Sequence, residues 1–195
     1  MKLSTKIALS LITLGAAPMA LAALGVGGMA PDFSAKASLA GKAFDFKLKD
    51  ALKKGPVVVY FYPSAYTGGC NLQAHTFAVN MDKFTAAHAS VIGVSLDSID
   101  RLNKFSADPD YCAGKLPVAS DPDGKIAKSY DLMVREGKEG IKDTQGNEIG
   151  HGFAERTTFI VTPDGKIAAT VGGVKPDENV QQSLAEVEKL AHAHH

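Results

Sequence analysis

The sequence lacks an excess of charge of either sign, and this limits the partners that the protein can attract. The whole chain carries 21 lysines and arginines against 21 aspartates and glutamates. When Lys2 and Lys6 are set aside with the N-terminal segment described below, 19 basic residues remain and the net charge is near −2. Such a surface has no long-range field for nucleic acid or for an anionic membrane. We therefore expect neither as a partner.

The chain also lacks a hydrophobic run long enough to cross a membrane. Lys2 and Lys6 precede an apolar run over residues 7–14, which Gly15 and Pro18 then interrupt. A membrane-spanning helix needs about 20 consecutive apolar residues, so this run is too short. A basic start followed by a short apolar run is typical of a secretory signal peptide.

The end of that segment predicts where it is removed. Ala20 and Ala22 are small residues at the two positions that a signal peptidase reads, which predicts a signal peptide over residues 1–22, cleaved after Ala22. Residues 23–195 would then be one domain, large enough to bury about two-thirds of its unfolded surface. We expect a periplasmic or otherwise exported protein, with no membrane contact once the signal is removed.

Cysteine is scarce, with only Cys70 and Cys112 in the chain. Disulfides persist in the oxidising compartments that exported proteins reach, so one interpretation of the two cysteines is a structural disulfide, here called a staple. By chain entropy such a staple would add roughly 4 kcal/mol, which a domain of this size does not need. A staple also leaves the glycines before Cys70 unexplained, and we favour a redox role.

The stretch around Cys70 organises the chain. Residues 57–62 are apolar or aromatic, which predicts a strand buried on both faces, and Pro63 ends it. Ala74, Phe77, Met81 and Phe84 then follow Cys70 at helical spacing. Cys70 is therefore predicted in or beside the first turn of a helix, where unpaired N–H groups and the macrodipole favour a thiolate over a thiol.

The remaining chain predicts alternating strands and helices. Strands are predicted at 31–34, 43–48, 90–96, 116–119, 157–161 and 166–171, and helices at 70–88, from 99 to the Asp-Pro-Asp at 108–110, at 125–132 and from near 177. A glycine-rich loop is expected over 133–155. This order matches an α/β class, thioredoxin-like fold, with a central mixed β-sheet flanked by helices on both faces.

One motif identifies a family. Residues 63–70, Pro-Ser-Ala-Tyr-Thr-Gly-Gly-Cys, resemble the P-x-x-x-[TS]-x-x-C motif of peroxiredoxins, thiol peroxidases on a thioredoxin-like scaffold. Further segments, in the right order along the mature chain, resemble the bacterioferritin-comigratory branch: Ala-Pro-Asp-Phe at 30–33, Val-Ile-Gly-Val-Ser at 91–95, Ser-Asp-Pro-Asp-Gly-Lys at 120–125 and Arg-Thr-Thr-Phe-Ile-Val at 156–161.

The resemblance implies roles for matched residues. Cys70 would be the peroxidatic cysteine, whose thiolate attacks a peroxide oxygen and becomes a sulfenic acid. Thr67 would place its hydroxyl near the sulfur and the peroxide, with helix capping as its structural alternative. Pro63 would shield the site. Cys112 would resolve the sulfenic acid as a disulfide that a dithiol donor reduces; the alternatives are a bystander thiol or a bond between subunits.

The motif also requires an arginine, and the chain has only Arg101, Arg135 and Arg156. Arg101 falls in a helix with apolar periodicity and is expected to be solvated, while Arg135 falls in the glycine-rich loop. Arg156 immediately precedes a core strand, which can hold a guanidinium fork against a thiolate and a peroxide. We therefore expect Arg156 to be the partner, with a surface cation as the alternative.

The chain departs from the family pattern at three positions. Asn71 and Gln73 stand where many relatives have a threonine and a glutamate. Loss of that carboxylate would leave the centre more positive and is expected to loosen the arginine. His75 occupies the alternative resolving position, five residues after Cys70, which excludes that subtype. His151 in the loop has no partner that the sequence identifies.

The predicted activity is the reduction of hydrogen peroxide and organic hydroperoxides, with a thioredoxin-like dithiol as reductant and no cofactor or metal. The alternatives are an exported thiol–disulfide oxidoreductase, which normally needs C-x-x-C, and a secreted binding domain with a structural disulfide. A monomer or weak homodimer is expected. The preferred peroxide, the physiological reductant and the role of the 133–155 loop are left open.

Overall fold

The computed structural model describes residues 23–193, which form nine strands and five helices. The strands are β1 Ser34–Leu39, β2 Lys42–Lys47, β3 Val57–Phe61, β4 Ser90–Ser95, β5 Val118–Ser120, β6 Val134–Arg135, β7 Phe153–Ala154, β8 Thr157–Val161 and β9 Ile167–Gly172. The helices are α1 Leu48–Leu52, α2 Gly68–Ala86, α3 Ile99–Ala107, α4 Lys125–Ser129 and α5 Pro176–Ala193.

Seven strands form one mixed sheet in the order β2-β1-β5-β4-β3-β8-β9. Strand β3 lies parallel to β4 and antiparallel to β8, with Phe61 opposite Thr157. Strands β4 and β5 are parallel, and β1 joins β5 antiparallel. All five residues of β3 are buried, which explains their uninterrupted apolar character.

The helices cover both faces of this sheet, as predicted. Val58 and Tyr60 of β3 belong to a cluster that includes buried side chains of α2, α3 and α5. Their neighbours Val57, Val59 and Phe61 belong to a second cluster, with α1 and α4. Successive side chains of a strand point to opposite faces, so β3 contributes to both cores. The thioredoxin-like expectation is confirmed.

The N-terminal strands differ from the prediction. The first was predicted at 31–34, whereas β1 covers Ser34–Leu39 and pairs with β2 through the tight turn at Ala40 and Gly41. Both turn residues have positive φ, 50° and 79°, the backbone of a two-residue hairpin turn. The small and polar residues of β1 carry little strand propensity, and its pairing with β2 and β5 places it in the sheet.

The loop at 133–155 contains a small second sheet, in which β6 pairs with β7. The predicted signal peptide, residues 1–22, lies outside the described residues. Between residues 23 and 193, none of the helices combines the length and the apolar character that a membrane span requires.

Candidate active site

Cys70 lies at the start of α2, directly beyond the edge of the sheet. It is the third residue of the helix and is 2% exposed. The chain reaches it from β3 through a turn over residues 62–67, in which Tyr66 has a φ of 59°. This left-handed backbone is unusual for a residue with a bulky side chain and has to be held by its surroundings. The helix start exposes N–H groups whose dipoles favour a negative charge on the sulfur.

Arg156 is the arginine that contacts Cys70. It directly precedes β8, which lies next to β3, so the sheet brings it to the same edge as the end of β3. Its Nη2 donates to Cys70 Sγ at 3.3 Å. Gly69 leaves room for this approach, since a Cβ there would crowd Arg156 Nη2 at 3.2 Å and Pro176 Cγ at 3.3 Å.

The other end of the guanidinium is fixed by Gln73, against the expectation that the missing glutamate loosens it. Arg156 Nη1 donates to Gln73 Oε1, and Gln73 Nε2 donates to Asn179 Oδ1 at 2.9 Å. Thr158 Oγ1 also donates to that oxygen at 2.6 Å, and Asn179 Nδ2 donates to the Val171 carbonyl at 3.0 Å. Gln73 and Asn179 are fully buried. A neutral amide therefore orients the arginine without cancelling its charge.

Thr67 is at the N-cap position of α2, but it makes no side-chain capping hydrogen bond. Its hydroxyl donates instead to the Ser64 carbonyl at 2.9 Å, across the turn. The oxygen of Thr67 is thus left with its acceptor lone pairs. Pro63 is half-buried at the beginning of the same turn, just after β3.

Cys112 lies elsewhere, in the turn that follows α3, and is fully buried. Both cysteines are free, and both belong to the apolar cluster on the α2 side of the sheet. Burial, and then the charge of Asp108, raise the pKa of the Cys112 thiol above its ordinary value. In this conformation Cys112 is a protonated thiol, and therefore a poor nucleophile.

The expectation that Arg101 is solvated is wrong. Its side chain is 18% exposed, and its Nε donates to Asp97 Oδ1 at 2.9 Å. His151 does have a partner, because its Nε2 lies 2.8 Å from the same Asp97 oxygen. The sequence does not by itself identify Asp97 as part of the site, because its position indicates only where the predicted strand over residues 90–96 ends. The available signal was an acidic residue two positions after the end of β4, a strand of the parallel part of the sheet.

The described residues contain no group of three or more His, Cys, Asp or Glu side chains arranged to hold a metal ion. The reactive features are instead a buried cysteine at a helix start and an arginine bonded to its sulfur. With the thioredoxin-like sheet, they define a class of proteins that work through a single activated thiol.

Comparisons with known proteins identify the family within that class. Residues 26–170 match the AhpC/TSA family model, and the chain belongs to this family. A Helicobacter pylori protein named as a peroxiredoxin, Bcp, is 34% identical over 164 residues, 83% of this chain and 96% of that protein. The enzyme is thus a peroxiredoxin, a thiol-dependent peroxidase that acts on peroxides with a thioredoxin-type reductant.

Solved structures agree with this assignment. The crystal structure of peroxidoxin BcpB from Mycobacterium tuberculosis superposes with a TM-score of 0.69 and 25% identity, covering 85% of this chain and 97% of that one. A structure of Xanthomonas campestris peroxiredoxin Q gives a TM-score of 0.63 and 27% identity, over 80% of this chain and 90% of that one.

Proposed function

We propose that Cys70 is the residue that reduces the peroxide and that Arg156 is its catalytic partner. The observation that carries this proposal is the 3.3 Å hydrogen bond from Arg156 Nη2 to Cys70 Sγ at the first turn of α2. A full positive charge and the helix N-terminus act together on one sulfur, and both stabilise its anion.

In the reaction, the Cys70 thiolate attacks one peroxide oxygen and forms an S–O bond while the O–O bond breaks. The departing oxygen leaves with the electron pair of that bond and takes up a proton, giving water or an alcohol, and the sulfur becomes a sulfenic acid. Arg156 stabilises the negative charge that moves from the sulfur to the departing oxygen. Thr67, whose hydroxyl hydrogen is used by the Ser64 carbonyl, accepts the hydrogen bond of the peroxide O–H through its oxygen, and Pro63 covers the site.

Cys112 completes the cycle in this proposal. Its thiol condenses with the sulfenic acid of Cys70, forming the disulfide and releasing water, and a thioredoxin-like dithiol then reduces that disulfide by exchange. The buried, protonated state of Cys112 means that its turn has to open before the sulfur can attack. A thiol–disulfide oxidoreductase is not favoured, because the fourth position of a C-x-x-C motif holds the buried, hydrogen-bonded Gln73.

We propose further that the enzyme is exported, on the strength of the signal-peptide pattern over residues 1–22. Cell fractionation of the full-length protein, with mass measurement of its N-terminus, tests this directly. Recovery of the mature chain starting at Ala23 outside the cytoplasm is the expected result. An intact Met1 on a cytoplasmic protein would contradict it.

Mass spectrometry of the reduced protein before and after one equivalent of hydrogen peroxide tests the chemical proposal. We expect loss of two hydrogens, from a Cys70–Cys112 disulfide, and sulfenic acid trapping on Cys70 when Cys112 is blocked by substitution. Oxygen addition on Cys112 with Cys70 unmodified would overturn the assignment of Cys70.

Arg156→Lys should lower the rate of the first reaction with peroxide by about 100-fold, although the charge is kept. Arginine bonds Gln73 through Nη1 and Cys70 through Nη2 at the same time, and a single ammonium cannot reproduce this fork. The second-order rate with peroxide, measured together with the pH dependence of Cys70 alkylation, checks this.

Arg135→Lys is the matched control, since Arg135 lies exposed in β6. That variant should react at the wild-type rate. If Arg156→Lys keeps both its peroxide rate and its alkylation profile, the catalytic cation is not Arg156.

A further inference from the structure

Asp97 collects five hydrogen bonds on one buried carboxylate. Oδ1 accepts from Ser64 Oγ at 2.9 Å, from Arg101 Nε at 2.9 Å and from His151 Nε2 at 2.8 Å. Oδ2 accepts from the Ala65 N–H at 2.7 Å and from Ser95 Oγ at 2.7 Å. Two of these donors, Ser64 and Ala65, belong to the turn that leads to Cys70. The carboxylate is thus a fixed attachment point for that turn.

Arg101 and Thr144 hold the next carbonyls of the same turn. Arg101 Nη2 donates to the Ala65 carbonyl at 2.8 Å and to Asp143 Oδ2 at 2.8 Å, and its guanidinium lies 5.3 Å from the centre of the Tyr66 ring. Thr144 donates to the Tyr66 carbonyl through its N–H at 2.8 Å and its hydroxyl at 2.9 Å. These contacts hold Tyr66 in its left-handed backbone conformation.

Thr144 also contacts the catalytic helix itself. Asn71, the residue after Cys70, donates from Nδ2 to Thr144 Oγ1 at 3.3 Å. The segment over residues 143–151 therefore bonds the turn through Thr144, Arg101 through Asp143, and Asp97 through His151. This gives the glycine-rich loop a physical connection to the reacting sulfur.

We propose that Asp97, Arg101, Thr144 and His151 are positioning residues for peroxide reduction, which hold the turn at Ser64–Tyr66 in the shape that presents Cys70 to its substrate. This proposal rests on the role of Cys70 proposed above and extends it to a second set of residues that do not touch the sulfur.

The hydrogen bonds that hold the turn at Ser64–Tyr66 depend on the protonation of His151. Its Nδ1 lies 2.7 Å from the Gly152 carbonyl and its Nε2 lies 2.8 Å from the Asp97 carboxylate, and these two nearest partners are acceptors only. The Ser64 hydroxyl is farther from Nε2, at 3.4 Å, and is itself bonded to Asp97. An imidazole can donate from both nitrogens only when it is the cation. Burial by itself lowers the pKa of His151, but the hydrogen bond and charge of Asp97 and the Gly152 carbonyl outweigh burial and raise it.

Of the charged groups around the ring, Asp97 raises the pKa of His151 and Arg101 lowers it, and the contributions of Asp97 and the Gly152 carbonyl are enough to leave it raised. Asp97 faces the ring from the end of β4, Arg101 from α3, and Glu148 lines the same cleft from the loop. Asp143 offsets part of the Arg101 charge. Burial raises the pKa of Asp97, yet hydrogen bonds from His151, Ala65 and Ser95 bring it below its ordinary value, so Asp97 stays ionised.

A pH dependence follows with a definite direction. A histidine with a raised pKa in the folded state contributes its full stabilisation at low pH and loses it as the pH rises through that pKa. Above that pH, one ring nitrogen faces an acceptor without a proton and the turn loosens. The peroxide rate of the wild type should therefore fall as the pH rises through the pKa of His151, and this decrease is the falling limb of its pH–rate profile.

The test compares full-length wild type with His151→Gln, Thr144→Val and the control His192→Gln, whose histidine is exposed near the end of α5. The chain has no tryptophan, so rapid quench with thiol-labelling mass spectrometry follows Cys70 oxidation from pH 5 to 9. Iodoacetamide alkylation of Cys70 over the same range reports its ionisation separately, and circular dichroism reports folding.

We expect His151→Gln to lose the falling limb and to have its maximum rate lowered about tenfold, through loss of one hydrogen bond to a charged group. Thr144→Val should lower the rate several-fold with the falling limb intact, and His192→Gln should match the wild type. A purely structural role would lower the rate uniformly at every pH.

Two outcomes overturn the proposal. One is a pH–rate profile of His151→Gln whose falling limb matches that of the wild type. The other is an unchanged peroxide rate in Thr144→Val, which decides the question if His151→Gln does not fold. Failure of the proposed function is distinct from both, because the wild type would then leave Cys70 unoxidised at every pH.

Discussion

Cys70→Ser should abolish peroxide consumption, leaving less than about a hundredth of the wild-type rate, because a serine hydroxyl ionises far too weakly to replace a thiolate. The Cys70 sulfur is buried, and it is the atom to which Arg156 Nη2 donates. Serine is close to cysteine in size, and the fold should be kept. Steady-state peroxide consumption with a dithiol reductant measures the effect.

The control for this variant is Cys112→Ser, which also loses a buried thiol but should keep the first reaction with peroxide. Thermal unfolding of both variants separates lost chemistry from lost folding. If Cys70→Ser retains more than a few per cent of the activity while Cys112→Ser shows no first reaction with peroxide, the roles of the two cysteines are reversed.

Cys112→Ser should keep a fast first turnover but lose sustained turnover, with sulfinic acid accumulating on Cys70. Without a resolving thiol, the sulfenic acid stays exposed to a second peroxide molecule. In the mechanism proposed above, the first reaction depends on Arg156, Thr67 and the helix start, none of which contacts Cys112 through a hydrogen bond. Single-turnover and multiple-turnover rates, with the mass of Cys70 after each, distinguish the two steps.

We expect the segments that carry Cys70 and Cys112 to open before the two sulfurs meet, because both thiols are free and buried. A disulfide needs Cα atoms within about 7 Å, and both cysteines are free and buried here. Tyr66, in the turn before Cys70, packs edge-on against Tyr111, the residue before Cys112, with ring centres 5.8 Å apart. His75 Nδ1 lies 3.0 Å from the Asp110 carbonyl, which also joins α2 to that turn. These contacts join the segment before Cys70 and the start of α2 to the segment before Cys112.

Strain on the Cys112 side favours this motion. Ala113 has a φ of 52°, a left-handed backbone that is costly for alanine, and Gly114 follows with 66°. Two results would show that Cys112 is not the resolving residue and that the enzyme is a one-cysteine peroxidase. One is normal sustained turnover by Cys112→Ser, and the other is peroxide-treated wild type without a Cys70–Cys112 disulfide.

The catalytic stretch could be predicted from the sequence because its signals are local. The uniform burial of β3, the break at Pro63 and the helical spacing after Cys70 each involve residues within a few positions of one another. The contact between Arg156 and Cys70 could also be predicted, since the sheet fixes the position of an arginine directly before a core strand. Strand β1 was misplaced because its small, polar residues carry no such signal.

The environment of Asp97 could not be predicted in the same way. Arg101 has the spacing of an ordinary helix residue, and nothing near it in sequence shows that Asp143, 42 positions later, accepts its hydrogen bond. The histidine of the loop is likewise 54 positions from Asp97. Hydrogen bonds between such distant residues depend on how the elements pack.

The sequence by itself determined the strand, the turn and the helix start that place Cys70, and also the family, because these depend on short-range spacing and on a compact motif. Only the tertiary structure decided that Gln73 and Asn179 orient Arg156, that Thr67 bonds across the turn instead of capping, and that the glycine-rich loop contacts the turn. Buried polar groups must find partners wherever the packed chain provides them, and those partners can lie anywhere along it.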